Sequence, residues 1–151
     1  FAARLGSLYC KEIRAAKKHS CADCVAEAAE LLEGKEDTEF KDVIDQLTRY
    51  FNGRLAKFTC ATDLIGTPFQ IRVWKELLKI PYGSTITYKH LAKRVSAPHA
   101  TQAVGRANGA NPLPIIVPCH RVLGSNGALV GYSCGVKTKE FLLRLEGAIM
   151  L

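Results

Sequence analysis

The sequence has no uninterrupted apolar run that approaches the roughly 20 residues needed for a membrane-spanning helix. Its first residues, Phe1 to Leu5, lack the basic-then-apolar order of a secretory signal. With 48% hydrophobic and 23% charged residues, the chain also lacks the bias of disordered or collagen-like proteins. We therefore expect a globular, intracellular protein of the cytoplasm or nucleus. We further expect a monomer with no membrane partner.

The six cysteines do not form the dense framework of a disulfide-stapled secreted domain, because they are scattered along a chain long enough to build a core. Reduced thiols are therefore favoured. Cys21 and Cys24, with nearby His19, have the spacing of zinc ligands. Only one such pair is present and its segment has a helical pattern, so two ordinary thiols are the preferred interpretation. A structural zinc is the alternative, and no cofactor or metal site is predicted.

Acidic residues are scarce in the second half of the chain. Residues 67–151 contain eleven Lys and Arg against three Asp and Glu, whereas residues 1–66 contain ten against eleven. The whole net charge of +7 therefore arises from the second half. This distribution favours a polyanionic partner such as nucleic acid, although a basic surface that serves only solubility is the plain alternative.

The pattern before Gly66 predicts a small mixed domain over residues 1–65. A strand is plausible over 5–9, and an Ala-, Glu- and Leu-rich helix over 22–32. Thr38 is a candidate cap for a second helix that ends at Gly53, and a strand is plausible over 57–64. The apolar face of this second helix comprises Phe40, Val43, Ile44, Leu47, Tyr50 and Phe51.

The pattern after Gly66 predicts a second domain over residues 66–151. Thr67, Pro68 and Gln70 have the order of a helix start with a capping box, and Trp74 is expected in the core of that helix's apolar stripe. Thr87 is expected to cap a short helix, and Pro98 to open another that runs to about residue 108. Two short helices joined by a tight turn are typical of a helix-turn-helix.

The last third of the chain has a different character. Residues 111–114 are rigid and proline-rich, and a short apolar run over 115–117 is expected to be buried. Four glycines between 124 and 135 predict a hairpin or wing. A final helix is expected over 138–146, with Phe141, Leu142 and Leu145 facing inward.

Cys119 follows this rigid segment and precedes His120. An arbitrary cysteine is more often inert packing than a nucleophile. Here the prolines fix the backbone, His120 is a candidate base, and the positive local charge is expected to favour the thiolate. These features indicate a reactive thiol but do not identify a reaction.

The combined pattern is more specific. Asn111-Pro112, Pro118-Cys119-His120-Arg121-Val122, Gly131-Tyr132-Ser133 and Glu146-Gly147 occur in this order, after residues 66–70, Val73-Trp74 and Ile86-Thr87-Tyr88. The pattern resembles the O6-alkylguanine-DNA alkyltransferase family, closely over 66–147 and weakly over 38–65. The resemblance implies an abbreviated ribonuclease-H-like α/β domain followed by a winged-helix-like domain.

The resemblance also implies a mechanism. A flipped O6-alkylguanine, or alternatively an O4-alkylthymine, in double-stranded DNA would transfer its alkyl group irreversibly to Cys119. His120 would receive the thiol proton through a water, and Glu146 would polarise the imidazole. Asn111 would orient the active-site turn near the thiolate and Tyr88, while Tyr88 would crowd the phosphate and protonate guanine N3. The carbonyls of Cys119 and Val122, the Ser133 N–H and the ring of Tyr132 would bind the base.

DNA contacts are expected at Gln70, Lys89, Gln102, Arg106 and Ser125. Family members usually carry an arginine where this chain has Gln102, which puts DNA affinity in doubt. Cys134 stands where a smaller residue is common, which puts bulky adducts in doubt. A lesion-binding protein without transfer activity is the main alternative, and the presence of Cys119 counts against it. A plain winged-helix regulator would not need the Cys-His-Glu set, and a cysteine hydrolase would not explain the basic second half.

Overall fold

The computed structural model describes residues 38–150. The expectations for residues 5–9 and 22–32 and for the Cys21–Cys24 pair lie outside this range. Short parallel strands accompany a set of helices, in agreement with the predicted mixed fold class. The elements are α1 (Thr38–Phe51), α2 (Pro68–Leu77), β1 (Ile86–Thr87), α3 (Tyr88–Arg94), α4 (Thr101–Gly109), a 3₁₀ helix (Cys119–Arg121), β2 (Val122–Leu123) and α5 (Val136–Leu145).

Helix α1 presents the predicted apolar face, on which Val43, Ile44, Leu47 and Phe51 are half-buried and Tyr50 is fully buried. Thr38 is itself helical and is therefore not the cap. The predicted strand over 57–64 does not form, and within this segment the Thr59 N–H is donated to the Gln46 side chain at 2.8 Å.

Helix α2 begins as the sequence predicts. The Thr67 hydroxyl accepts from the Gln70 N–H at 3.3 Å, and Gln70 Oε1 accepts from the Thr67 N–H at 2.9 Å, with Pro68 at the start of the helix. The helix buries Trp74, whose indole N–H donates to the Ala107 carbonyl of α4 at 2.8 Å. This bond satisfies the polar edge of a core aromatic and ties α2 to α4.

Helices α3 and α4 form the predicted helix-turn-helix pair. Thr87 caps α3 through its hydroxyl, which accepts from the His90 N–H at 3.2 Å. The prediction that Pro98 opens α4 is wrong, because the helix begins at Thr101 after Ala100. The intervening residues form a turn closed by the Ala97 N–H to the Ala92 carbonyl, at 2.9 Å.

Strands β1 and β2 pair in parallel, with Ile86 opposite Val122. This pairing places the 3₁₀ helix beside the helix-turn-helix. The expected hairpin between residues 124 and 135 has no paired strands within that segment. It is instead a turn in which the Gly124 N–H donates to the Ala128 carbonyl at 2.9 Å.

Helix α5 begins at Val136 and ends at Leu145, so Glu146 is its C-cap residue rather than its last helical residue. Leu142 is buried and Leu145 half-buried as expected, but the inward placement of Phe141 is wrong, since this side chain is 41% exposed. Within residues 38–150, none of the helices is long and apolar enough to cross a membrane. The main core lies between α2, α3, α4 and the 3₁₀ helix and includes Val73, Trp74, Leu77, Leu91, Val104, Val117 and Val122.

Candidate active site

The segment before Cys119 is held in a fixed and partly strained shape. Asn111 Oδ1 accepts from the Leu113 N–H at 3.0 Å, and a bridge joins Pro114 to Val117. Ile115 has a φ of 76°, a left-handed conformation that is rare for a β-branched residue. Such strain persists only where the surroundings impose it, and it is concentrated at functional sites. The segment therefore delivers Cys119 to a defined position.

The Cys119 thiol is buried, with 2% of the residue exposed. Asn111 Nδ2 donates to its sulfur at 3.0 Å and to the Val117 carbonyl at 2.8 Å. Burial nevertheless raises the pKa of Cys119 to about 11, and the Asn111 hydrogen bond only partly offsets this effect. The expectation that positive local charge favours the thiolate is therefore wrong for the resting protein, because desolvation outweighs the nearby cations. Cys119 rests as a neutral thiol.

His120, Arg121 and Glu146 form one buried network. His120 Nε2 lies 2.9 Å from Glu146 Oε1, while Arg121 donates from Nε to Oε2 and from Nη2 to Oε1, both at 2.8 Å. Burial lowers the pKa of His120, so its ring is neutral near pH 7. Hydrogen bonds from His120 and Arg121 overcome burial and lower the pKa of Glu146 to about 2.

The tautomer of His120 follows from this arrangement. An ionised Glu146 can only accept, so Nε2 carries the ring proton and Nδ1 has a free lone pair. Nδ1 is buried and has no hydrogen-bond partner within residues 38–150. A buried imidazole nitrogen next in sequence to a neutral thiol is a suitable base for it.

Tyr50 reaches the same carboxylate from α1. Its hydroxyl donates to Glu146 Oε1 at 2.6 Å, and burial followed by the charge of Glu146 raises the pKa of Tyr50. The Glu146 carboxylate thus accepts hydrogen bonds from three side chains, those of Tyr50, His120 and Arg121. The sequence signal for Tyr50 was only its place on an apolar face, which is also what a plain core residue would show.

Tyr88 is placed by two neighbours. Its hydroxyl donates to the Gly131 carbonyl at 3.1 Å and accepts from Asn108 Nδ2 at 3.4 Å. The Asn108 amide also donates to the Cys119 carbonyl at 3.3 Å. The residue that links Tyr88 to the cysteine turn is therefore Asn108, not Asn111 as expected. A polar residue on the buried side of α4, one turn after Val104, was the signal that could have identified it.

Lys139 is a further polar group that the sequence reasoning missed. Its buried ammonium donates to the carbonyls of Val122 at 2.5 Å and Val130 at 2.7 Å, and it lies 5.9 Å from the centre of the Tyr88 ring. Burial lowers the pKa of Lys139 to about 8. The amine fastens the 130–135 loop to β2, beside Tyr88.

The expected base-binding groups lie around this cluster. Val122 is buried, Tyr132 is half-buried and Ser133 is exposed. The carbonyls of Cys119 and Val122 each already accept one internal hydrogen bond, from Asn108 and Lys139 respectively. Since a carbonyl has two lone pairs, each retains one for a ligand.

The expected DNA contacts are dispersed over the surface. Lys89, Gln102, Arg106 and Ser125 are exposed, on α3, on α4 and in the turn after β2. Gln70 is half-buried and its carbonyl oxygen is already used in the helix cap. Among residues 38–150, no three His, Cys, Asp or Glu side chains cluster as metal ligands would.

Comparison with known proteins gives consistent results for both parts of the chain. Residues 68–148 match the model of the 6-O-methylguanine DNA methyltransferase DNA-binding domain, and residues 12–64 match the ribonuclease-like domain of the same family. A methylated-DNA–protein-cysteine methyltransferase of Mycobacterium tuberculosis is 54% identical over 107 residues, which are 71% of this chain and 65% of that protein. The match thus spans slightly less than two thirds of that relative.

Other relatives are similar. The protein of the same name from Methanosarcina mazei is 53% identical over 107 residues, covering 71% of this chain and 68% of that one. A crystal structure of Mycobacterium tuberculosis OGT in complex with DNA superposes with a TM-score of 0.71 at 53% identity, covering 72% of this chain and 68% of that one.

Proposed function

Because the chain belongs to the 6-O-methylguanine DNA methyltransferase family, we propose that it repairs double-stranded DNA by moving an alkyl group from guanine O6 to Cys119. The observation that carries this proposal is a pair of buried contacts, one to the Cys119 sulfur and one to the His120 ring. Asn111 holds the Cys119 sulfur at 3.0 Å, and Glu146 fixes His120 with Nδ1 unprotonated. A nucleophile and an oriented base on one short segment are what a thiol-transfer reaction requires.

The proposed reaction starts from the neutral thiol. The proton of Cys119 passes through a water to His120 Nδ1, and Glu146 stabilises the imidazolium that forms. The sulfur attacks the alkyl carbon, a carbon–sulfur bond forms, and the bond from that carbon to guanine O6 breaks. The electron pair stays on the guanine. Tyr88 delivers a proton to N3 and becomes a phenolate. The imidazolium proton then passes through solvent to that phenolate, which restores neutral His120 and neutral Tyr88, so charge and atoms balance.

The base-binding roles follow from the same geometry. The second lone pairs on the carbonyls of Cys119 and Val122 are suited to the exocyclic amine, and the Ser133 N–H is suited to O6. Tyr132 supplies an aromatic wall. Asn108 bonds both the Tyr88 hydroxyl and the Cys119 carbonyl, and its role is to set the distance between Tyr88 and the cysteine turn.

Irreversibility follows from the bond that forms. An alkyl thioether has no carbonyl through which water could expel the thiolate, so each chain acts once. The exposed residues Lys89, Gln102, Arg106 and Ser125, with Gln70, are proposed to contact DNA around the flipped nucleotide. We also propose that the protein is a monomer. Its chain comprises one domain over residues 1–65 and another over 66–151, a boundary supported by the residue ranges that match the two family domains. O4-alkylthymine is proposed as a second substrate.

The test is the intact mass of the protein after incubation with duplex DNA that contains O6-methylguanine. We expect a gain of one methyl group in place of the thiol hydrogen, mapped to Cys119 and absent from Cys119→Ala. Tight binding of the lesion without any gain in mass would support the alternative of a lesion-binding protein. A gain mapped to Cys60 or Cys134 would overturn the assignment of the nucleophile.

A further inference from the structure

The exposed face of α3 is more basic than the exposed face of α4. A depression of about 660 Å³ on this face is lined by Thr87, Lys89, His90, Lys93 and Arg94. The lining thus has three permanent cations, one imidazole and one hydroxyl, and it includes neither a carboxylate nor a Phe, Tyr or Trp ring. On α4, by contrast, Arg106 is the one charged side chain within Thr101–Gly109.

These cations are not used within the described part of the protein. Between residues 67 and 150 the carboxylates are those of Glu76, Glu140 and Glu146, and each pairs with another residue. Lys89, Lys93 and Arg94 have no ion pair within residues 38–150. Unpaired cations gathered on one helix face repel one another, so a polyanion that covers them is favoured.

The orientation of α3 separates this face from the candidate active site. Tyr88 projects toward Asn108 and Gly131, on the side of the helix that also buries Leu91 and Ala92. The basic residues lie on the opposite face of the same helix. We therefore expect a duplex that presents a base to Cys119 to reach Lys89, which adjoins Tyr88 in the chain, and to leave Lys93 and Arg94 uncovered.

From this geometry we propose that the outer face of α3 binds the phosphate backbone of a second DNA segment. The chain then holds two stretches of duplex, one at the site of Cys119 and one across Lys93 and Arg94. This inference rests on the proposed function only in taking DNA as the partner. Phosphates suit the face because it offers ammonium, guanidinium and hydroxyl donors and no apolar pocket for a peptide side chain.

The experiment is the stoichiometry of the complex with excess undamaged duplex of about 14 base pairs, a little over one helical turn, measured by sedimentation velocity. We expect one chain to bind two duplexes, and the variant Lys93→Glu/Arg94→Glu to bind one. Two phosphate contacts correspond to roughly 12-fold weaker binding of the second duplex between about 50 and 200 mM salt. The matched control is Lys57→Glu/Lys75→Glu, which changes the net charge equally at exposed positions and keeps both duplexes.

Methyl transfer to Cys119 is measured in the same variants. We expect Lys93→Glu/Arg94→Glu to transfer as wild type from a saturating short substrate. A wild-type complex with one duplex, or a charge-reversed variant that still binds two, overturns the second site. A charge-reversed variant that binds no duplex overturns it as well, because the face would then contact the lesion-bearing DNA. Failure of transfer in the wild type would instead concern the proposed function.

Discussion

The Tyr50 hydroxyl donates to Glu146 Oε1 at 2.6 Å, although the two residues are 96 positions apart in the chain. The same oxygen accepts from His120 and Arg121. A side chain from α1 therefore takes part in fixing the carboxylate that orients the candidate base. Residues before position 66 thus contribute to the candidate active site as well as to stability.

Replacing Tyr50 with Phe should slow methyl transfer and destabilise the fold. A hydrogen bond to a charged group contributes about 1.5–3 kcal/mol, so we expect a loss of that size in the free energy of unfolding in urea. The pH profile of transfer should also change, because Glu146 would hold His120 less firmly. Tyr82→Phe is the control, since its hydroxyl donates to the Leu145 carbonyl at 3.1 Å and not to the carboxylate. Equal pH profiles for the two variants would show that Tyr50 is only structural.

The free protein should react with iodoacetamide at Cys119 more readily as the pH rises. Because burial raises the pKa of Cys119 to about 11, the thiolate fraction grows about tenfold for each pH unit between 7 and 10. Asn111→Ala removes a hydrogen bond that lowers this pKa, so its profile should shift to higher pH. The measurement is the labelling rate of the Cys119 peptide by mass spectrometry. A plateau below pH 9 in the wild type would contradict the resting neutral thiol.

Asn108 and Asn111 should separate into different roles. Asn108→Ala removes the link between Tyr88 and the Cys119 carbonyl and leaves the bond from Asn111 to the sulfur intact. We expect transfer to slow by about 100-fold, the lower end of a general-acid contribution, while iodoacetamide labelling of Cys119 stays near wild type. Asn111→Ala should reduce both rates. If both variants changed the transfer rate and the labelling rate alike, Asn108 and Asn111 would not have separate roles.

Gln102→Arg should strengthen DNA binding. Gln102 is exposed on α4 and can hydrogen-bond but carries no charge, whereas arginine adds a cation and a longer reach. We expect tighter binding of duplex DNA, with a salt dependence steeper by about 0.9 in log–log slope for one added phosphate contact. Affinity is measured by fluorescence anisotropy at several salt concentrations, alongside the transfer rate. If Gln102→Arg leaves both DNA binding and transfer unchanged, Gln102 does not limit DNA affinity. Gln102→Ala is the control for loss of the amide.

Local signals in the sequence determined much of this protein. Thr67, Pro68 and Gln70 specify the start of α2 through hydrogen bonds within four residues, and Thr87 does the same for α3. The mixed fold class was likewise predictable, because the order of apolar faces and turn residues carries that information. The residues of the candidate site at 88, 111, 119, 120 and 146 were predicted from the resemblance of the motif pattern to a known family.

Other features were decided only by the tertiary structure, because they depend on contacts between segments remote in the chain and on the exclusion of water. The sequence predicted a thiolate at Cys119 from nearby charge, but burial by distant side chains governs its pKa. No strand forms over 57–64, where the Thr59 N–H bonds to the side chain of Gln46 on α1. Tyr50 was predicted only as part of an apolar helix face, and no role was predicted for Lys139. Their roles at Glu146 and Val122 exist only because the fold encloses them with buried partners, where each polar group must find a hydrogen bond.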